Sequence, residues 1–392
     1  MEWFGVIMSK LKEGFFSVSI SCFEAITEDL GMNECCLYLI YCCGTGKSNV
    51  TTRWSVNALH KYTRIGVRRG VKSASLLREF GFVTQTRGGK HPIHEIERDP
   101  DHECVWLPKS FVMGVANEDS PLERIRQTDD QLALRLCVNL YWRCDIANDG
   151  GIDQSEACVI YEKALLTTHN QFNVFGFKNG AIEFVPNDLH TPHVDETHTN
   201  KYQPFWDRLK LLEDIGLIYE CPTLFDSVGG EPICPLINPF TELPITDITD
   251  LASQVKPDWF DQCLDAYDFT PLVPKHYRSV VLRGVYILRY RQQTAKTASG
   301  YAATMERIDD YMKCLYQGGI KEVSRIDQGG IKEVSRIDQG GFKDNIKERS
   351  SMVGDELLVT DLEQVQKQKQ SFRAGSTLTW IPTQDRMTGG GW

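Results

Sequence analysis

Between Thr51 and Arg98 lie ten lysines and arginines against three acidic residues, a local net of +7. Arg68, Arg69 and Lys72 are its centre, with Arg53, Arg64, Arg87 and Lys90 around them. An arginine fork can take the O6 and N7 edge of guanine in a bidentate pair, and either basic side chain can neutralise a phosphate. The chemistry this spacing suits is therefore the binding of a polyanion that also presents base edges. Ser55 and Ser73 complete the candidate contact set.

Other constellations are weaker. Cys43-Gly44-Thr45-Gly46-Lys47-Ser48 resembles the end of a phosphate-binding loop, but Tyr41 stands where that motif needs glycine, and Asn49 to Thr52 does not open a helix. His190, His193, Asp195 and His198 are chemically fit for zinc or manganese, yet their spacing matches no closed site. Tyr286, Tyr290 and Tyr301 lie near basic residues without the metal-binding histidine pair that a DNA-nicking tyrosine requires. No nucleophile and base stand at diagnostic spacing. The expectation is a protein that is not an enzyme, with no catalytic residue, no cofactor and no metal.

The whole chain of 392 residues carries a formal charge of -10. Six further basic residues and no acid fall between Lys275 and Lys296, so the remainder holds a net of -23. Total charge governs solubility, whereas local charge decides where a polyanion docks. The thirteen cysteines include no CxxC pair. Cys35, Cys36, Cys42 and Cys43 read as small hydrophobes of a core helix. Lys10 and Lys12 interrupt the apolar Met1 to Met8 stretch, no small-residue cleavage site follows, and the longest apolar run, Cys35 to Cys43, is too short for a bilayer. A cytoplasmic, nucleoid-associated protein with no membrane partner is expected.

The elements that must position the basic residues are legible in outline. A helix over Glu34 to Cys43 stops at Gly44. Ser55 caps a short helix with Val56 and Leu59 inward, and Thr63 to Gly66 makes a turn with Ile65 pointing to the core. A second helix, Val67 to Phe80, puts Val67, Val71, Ala74 and Leu77 on one face. Arg68, Arg69, Lys72 and Ser73 fall largely on the other, in its N-terminal half. Gly81 stops it, and strands Phe82 to Thr86 and His91 to Glu97 flank an Arg87 to Lys90 turn. Later, Leu211 to Ile218 repeats the Leu76 to Val83 pattern of helix, glycine and apolar strand, followed by a strand near Pro232 to Ile237. Between these blocks a helix over Leu132 to Cys144 is expected, then one from Asp153 toward Leu165. A hairpin of Phe172 to Phe177 with Ala181 to Val185 would turn at Asn179-Gly180. Val280 to Tyr316 reads as helical, with Arg283, Arg289 and Arg291 projecting from an apolar face. GGIKEVSRIDQ at Gly318 recurs at Gly329, and glycine pairs every eleven residues argue for a flexible extension.

The pattern S-x-x-A-L-x-x-x-T-x-I at Ser55 to Ile65, with L-L-x-E-F-G-F-V at Leu76 to Val83, resembles the winged helix-turn-helix superfamily of DNA-binding proteins. The tandem arrangement is similar to plasmid and phage replication initiators. What this implies is an α+β, mainly helical chain: an N-terminal arm (1–33), a winged helix-turn-helix domain (34–110), a second, enlarged winged-helix-like domain (120–238), a linker and basic helical region (239–316) and a flexible repeat-containing tail (317–392). The implied partner is double-stranded DNA, bound by Arg53, Ser55, Arg64, Arg68, Arg69, Lys72, Ser73, Arg87 and Lys90. The second domain is as compatible with a homodimer contact as with DNA. Sequence-specific binding for replication initiation of a bacterial plasmid, phage or mobile element is the leading expectation. A transcription regulator is the alternative, and a metal-dependent nuclease using the His190 loop is a third reading.

Overall fold

Phe16 and Val18 are fully buried on a strand, β1 (Phe15–Ser19), that pairs antiparallel with β5 (Cys104–Pro108). The segment read as an arm thus supplies core from its sixteenth residue onward. The computed structural model describes residues 14–46, 48–89, 91–97, 103–115, 118–144, 151–152, 157–180, 188–239, 242–245, 248, 266–291 and 295–317. All of them fall in one unit, Met1–Ile320. The eleven-residue repeats lie outside the described residues.

Ser19 accepts from the Cys22 amide and starts α1 (Ile20–Asp29), whose Phe23 and Ile26 face inward. Next comes α2 (Met32–Cys43), apolar on every side and buried on every side, the signature of a helix at the centre of a core. Its four cysteines are buried thiols outside any disulfide. Burial pushes the Cys35 and Cys43 thiols up to about 12, so they behave as inert packing groups. After β2 (Thr51–Thr52) the chain enters α3 (Val56–Thr63), with Ser55 accepting from the Asn57 amide, and then α4 (Val67–Glu79). The hairpin β3 (Val83–Arg87) and β4 (Ile93–Ile96) follows, and β2 joins it on the β4 side, giving the order β2-β4-β3. Helix, short strand, two helices and hairpin therefore follow one another around Leu59, Ile65, Leu77, Val83 and Ile96, all buried.

A short α5 (Ser110–Met113), α6 (Pro121–Thr128) and α7 (Gln131–Trp142) come next, the last capped by Asp130 on the Ala133 amide. The second half is a six-stranded sheet in the order β10-β7-β6-β11-β8-β9, its described pairings antiparallel. Its strands are β6 (Cys158–His169), β7 (Phe172–Asn179), β8 (Ile218–Phe225), β9 (Pro232–Pro235), β10 (Leu272–Pro274) and β11 (Val281–Leu288). Helices α8 (Gln203–Asp214) and α9 (Ala295–Gln317) complete it. The architecture is α+β.

Three expectations for this half fail. The helix expected from Asp153 toward Leu165 is replaced by strand β6; Asp153 itself lies outside the described residues. The hairpin turns at Asn170-Gln171, not at Asn179-Gly180, with β6 rather than Ala181 to Val185 as partner; the latter segment is not described. Val281 to Leu288 is a strand, not a helix: valine, isoleucine and tyrosine suit a pleated surface, and Gly284 would weaken a helix interior. Its one basic residue turns inward accordingly. Buried Arg283 donates to Val228 O, and Arg289 pairs with Glu242 at 2.7 Å.

The internal similarity is real as a local motif. In α4 the Gly81 amide donates to Arg78 O and the Phe82 amide to Leu77 O; in α8 the Gly216 amide donates to Glu213 O and the Leu217 amide to Leu212 O. Gly81 and Gly216 have φ of 81° and 74°, the left-handed conformation that suits glycine at such a helix stop. A hairpin strand follows in both cases. The second copy, however, feeds the six-stranded sheet.

Candidate nucleic-acid interface

Helix α4 is set against α3 by a turn that uses several local bonds. Arg64 takes a left-handed conformation at φ 57°, the Thr63 hydroxyl donates to Leu59 O at 2.7 Å, and His60 Nδ1 meets Ile65 O at 3.2 Å. Ile65 is buried beneath the turn as the sequence implied. Gly70 lies against α3. A Cβ there would stand 3.0 Å from Leu59 Cδ2 and 3.2 Å from Val56 Cβ, so glycine is kept despite its cost in a helix.

The buried face of α4 is Gly70, Ser73, Ala74 and Leu77. This corrects two expectations. Val67 and Val71 are 42% and 53% exposed, because the inward face is centred between Gly70 and Leu77, about a quarter of a turn from where the valines lie. Ser73 is only 1% exposed: its hydroxyl donates to Glu34 Oε1 at 2.6 Å and also reaches Arg69 O at 3.1 Å. It belongs to the core contact with α2 and is not presented outward. From the sequence Glu34 reads only as the first residue of a helix, with no contact assigned to it; its place at the third residue of α2 is the signal that was missed.

Arg68, Arg69 and Lys72 stand exposed on the N-terminal half of α4, and Arg53 and Arg87 are exposed after β2 and at the end of β3. Among the described residues none of these five side chains makes an ion pair or a side-chain hydrogen bond. Arg64 differs. It is bound to Asp119 at 2.7 Å and lies 4.0 Å from buried Glu123, so its charge is already answered. The Ser55 hydroxyl is engaged as the α3 cap. Lys90 lies outside the described residues.

The hairpin is tied to α4 by Arg78. One guanidinium nitrogen donates to Gln85 Oε1 of β3 at 2.7 Å, the other to Ser75 Oγ at 3.1 Å. Beneath it, His94 of β4 stacks on Tyr41 of α2 with ring centres 4.7 Å apart. Burial, then the nearby Arg78 charge, lowers its pKa. The helix start, with Gly66 as its cap and no side-chain cap bond, adds its own partial positive charge beside Arg68 and Arg69.

The remaining candidates come apart in space. Segment 43–48 follows a helix and precedes a strand, the reverse of the strand-loop-helix order that a phosphate loop uses. His190 and His193 are buried against Phe205, at ring distances of 4.3 and 5.8 Å, while Asp195 accepts from Thr197 and faces His198 at 3.6 Å in an exposed loop. Among the described residues no group of three or more histidine, cysteine, aspartate or glutamate side chains is placed to hold a metal ion. No described helix is long and apolar enough to cross a membrane. No protein family, curated protein or solved structure matches the chain.

Proposed function

We propose that this protein binds double-stranded DNA through residues 51–98, with the N-terminal half of α4 in the major groove and the β3–β4 hairpin as a wing on the backbone. The observation that carries the reading is the set of five exposed, uncompensated cations at Arg53, Arg68, Arg69, Lys72 and Arg87, on a chain whose net charge is -10. Elsewhere on the same chain some basic groups are matched, Arg289 by Glu242, Arg208 by Asp130, Arg135 by Glu24 and Glu28, whereas exposed Lys178, Lys275 and Arg278 are scattered cations with no ion pair among the described residues. The order helix, strand, helix, helix, hairpin, with β2 added to the returning strand, supports the winged-helix reading. A helix that follows a tight turn and presents basic side chains from its first two turns is placed as recognition helices are.

The role we propose is binding rather than catalysis, and replication initiation ahead of transcription regulation. The α8, Gly216, β8 and β9 unit supports the tandem reading, since it repeats the local order of α4, Gly81, β3 and β4. An initiator of that kind engages iterated sites and opens the duplex locally, whereas a regulator engages a palindrome as a dimer. Binding of purified protein to a randomised duplex pool, followed across salt concentrations, is the test. A steep linear fall of log affinity with log salt is expected from counterion release. No retention of duplex at low salt would sink the reading. Direct repeats or a palindrome among the enriched sequences would choose between the two roles.

A further inference from the structure

We infer that Val67 and Val71 form a thymine-methyl contact on α4, so that the duplex this protein prefers carries thymine beside the bases met by Arg68 and Lys72. The inference rests on the DNA-binding reading above and extends it to sequence preference. Residues 67, 71 and 75 follow one another at four-residue spacing, which on a helix makes a single row. That row borders the exposed ridge of Arg68 and Lys72 and ends at Ser75, whose hydroxyl donates to Val71 O at 3.2 Å and accepts from Arg78. Both valines are among the exposed large hydrophobic residues, at 42% and 53%. Valine is also a poor choice for an exposed helix position, where unbranched side chains lose less rotamer freedom.

The surroundings decide what covers the row. Arg68, Arg69 and Lys72 carry no ion pair among the described residues, so the face would repel a second copy of itself and attract a polyanion. Two valines are also far too small a patch for a stable protein contact, which buries on the order of 800 Å² on each partner. Within the major groove of a duplex, the one apolar feature among the base edges is the C5-methyl group of thymine. In a helix valine holds one dominant χ1 rotamer, so its methyl groups are already placed. Arginine or lysine on the adjacent ridge would meet guanine O6 and N7 in the neighbouring steps.

The experiment begins with selection of preferred sequences from a randomised duplex library. The enriched duplex is then synthesised with thymine and again with uracil, which removes only the methyl groups. Each contacted methyl should be worth about three- to fivefold in affinity, the effect of one buried methylene-sized group. Val67→Ala/Val71→Ala should bind both duplexes alike, at the level of the wild type on uracil, with unchanged thermal melting and unchanged oligomeric state by light scattering. Equal wild-type affinity for the two duplexes overturns the inference and leaves DNA binding standing. An enriched site without thymine does the same, as does a valine variant that still discriminates or that alters self-association instead. Failure to retain any duplex overturns the inference together with the reading on which it rests.

Discussion

Ser73 Oγ donates to Glu34 Oε1 at 2.6 Å, while Glu34 Oε2 accepts from the Gly31 amide at 3.1 Å. One buried carboxylate thus caps α2 and anchors the inner face of α4. Ser73→Ala would leave a carboxylate oxygen without that donor in the core. The cost of such an orphaned acceptor is about 1–3 kcal/mol. The expected outcome is a lower midpoint in urea with an unchanged slope, read by circular dichroism. In a double-mutant cycle Ser73→Ala with Glu34→Gln should show strong coupling. Additive losses would mean that the two groups do not share a bond in solution.

Gly70 offers a second check on how α4 is seated. Leu59 and Val56 stand where its side chain would begin. Gly70→Val should push the helices apart and cost about 1–3 kcal/mol, the range for overpacking a tight contact. Val71→Ala, one residue along but exposed, should change stability by less than about 0.5 kcal/mol. Equal effects of the two changes in thermal melting would contradict the face assignment of α4.

These two positions also show what the sequence could and could not disclose. The bounds of α3, α4 and α7, the turn at Thr63 to Gly66 and the glycine stops at Gly81 and Gly216 were readable because local rules govern them. The rotation of α4 was not. Val67 and Val71 continue the spacing of Ala74 and Leu77, and only contact with α2 and α3 shifts the inner face toward Gly70 and Ser73. The small residues Gly70 and Ser73 were the signal, since a close helix crossing wants them. The second half was misread where an apolar run fits either period. Val281 to Leu288 is buried along nearly its whole length, and such a run carries no alternation to tell a central strand from a buried helix. Of the candidate site, the exposed cations were legible from composition, whereas the engagement of Arg64 by Asp119 depends on a residue 55 positions away.

His193 gives a pH prediction. Both of its ring nitrogens are buried and lack a hydrogen-bond partner among the described residues. Burial first, then the Arg208 and Arg135 charges, pushes its pKa down to about 3 from 6.5. Above pH 6.5 the ring is neutral folded and unfolded, and its contribution to stability is fully present. As the pH falls the unfolded chain takes up a proton that the folded chain refuses, so stability is lost progressively toward pH 3. At pH 5 the loss from this residue is about 2 kcal/mol. His94 works in the same direction. His193→Phe should flatten the decline in melting temperature between pH 7 and pH 5. A variant that tracks the wild type throughout would show that the ring is protonated in the native state.

The sharpest functional comparison sets Arg68 and Arg69 against Arg87. All three are exposed and without ion pairs among the described residues, so alanine at any of them should shift stability by less than about 0.5 kcal/mol. Their effects on binding should differ in kind. The α4 arginines face the base edges in the proposed pose, and losing a base-reading arginine costs about 1–3 kcal/mol against the preferred sequence. Binding to unrelated duplex should change less, so the ratio between the two falls. Arg87 ends β3 on the hairpin, where a contact to phosphate carries no base information. Arg87→Ala should weaken preferred and unrelated duplexes alike and reduce the salt slope by about 1. Fluorescence anisotropy of both duplexes at several salt concentrations separates the two behaviours. If Arg68→Ala/Arg69→Ala keeps the wild-type ratio of preferred to unrelated affinity, α4 does not read the bases, and the basic surface is an unspecific attraction only.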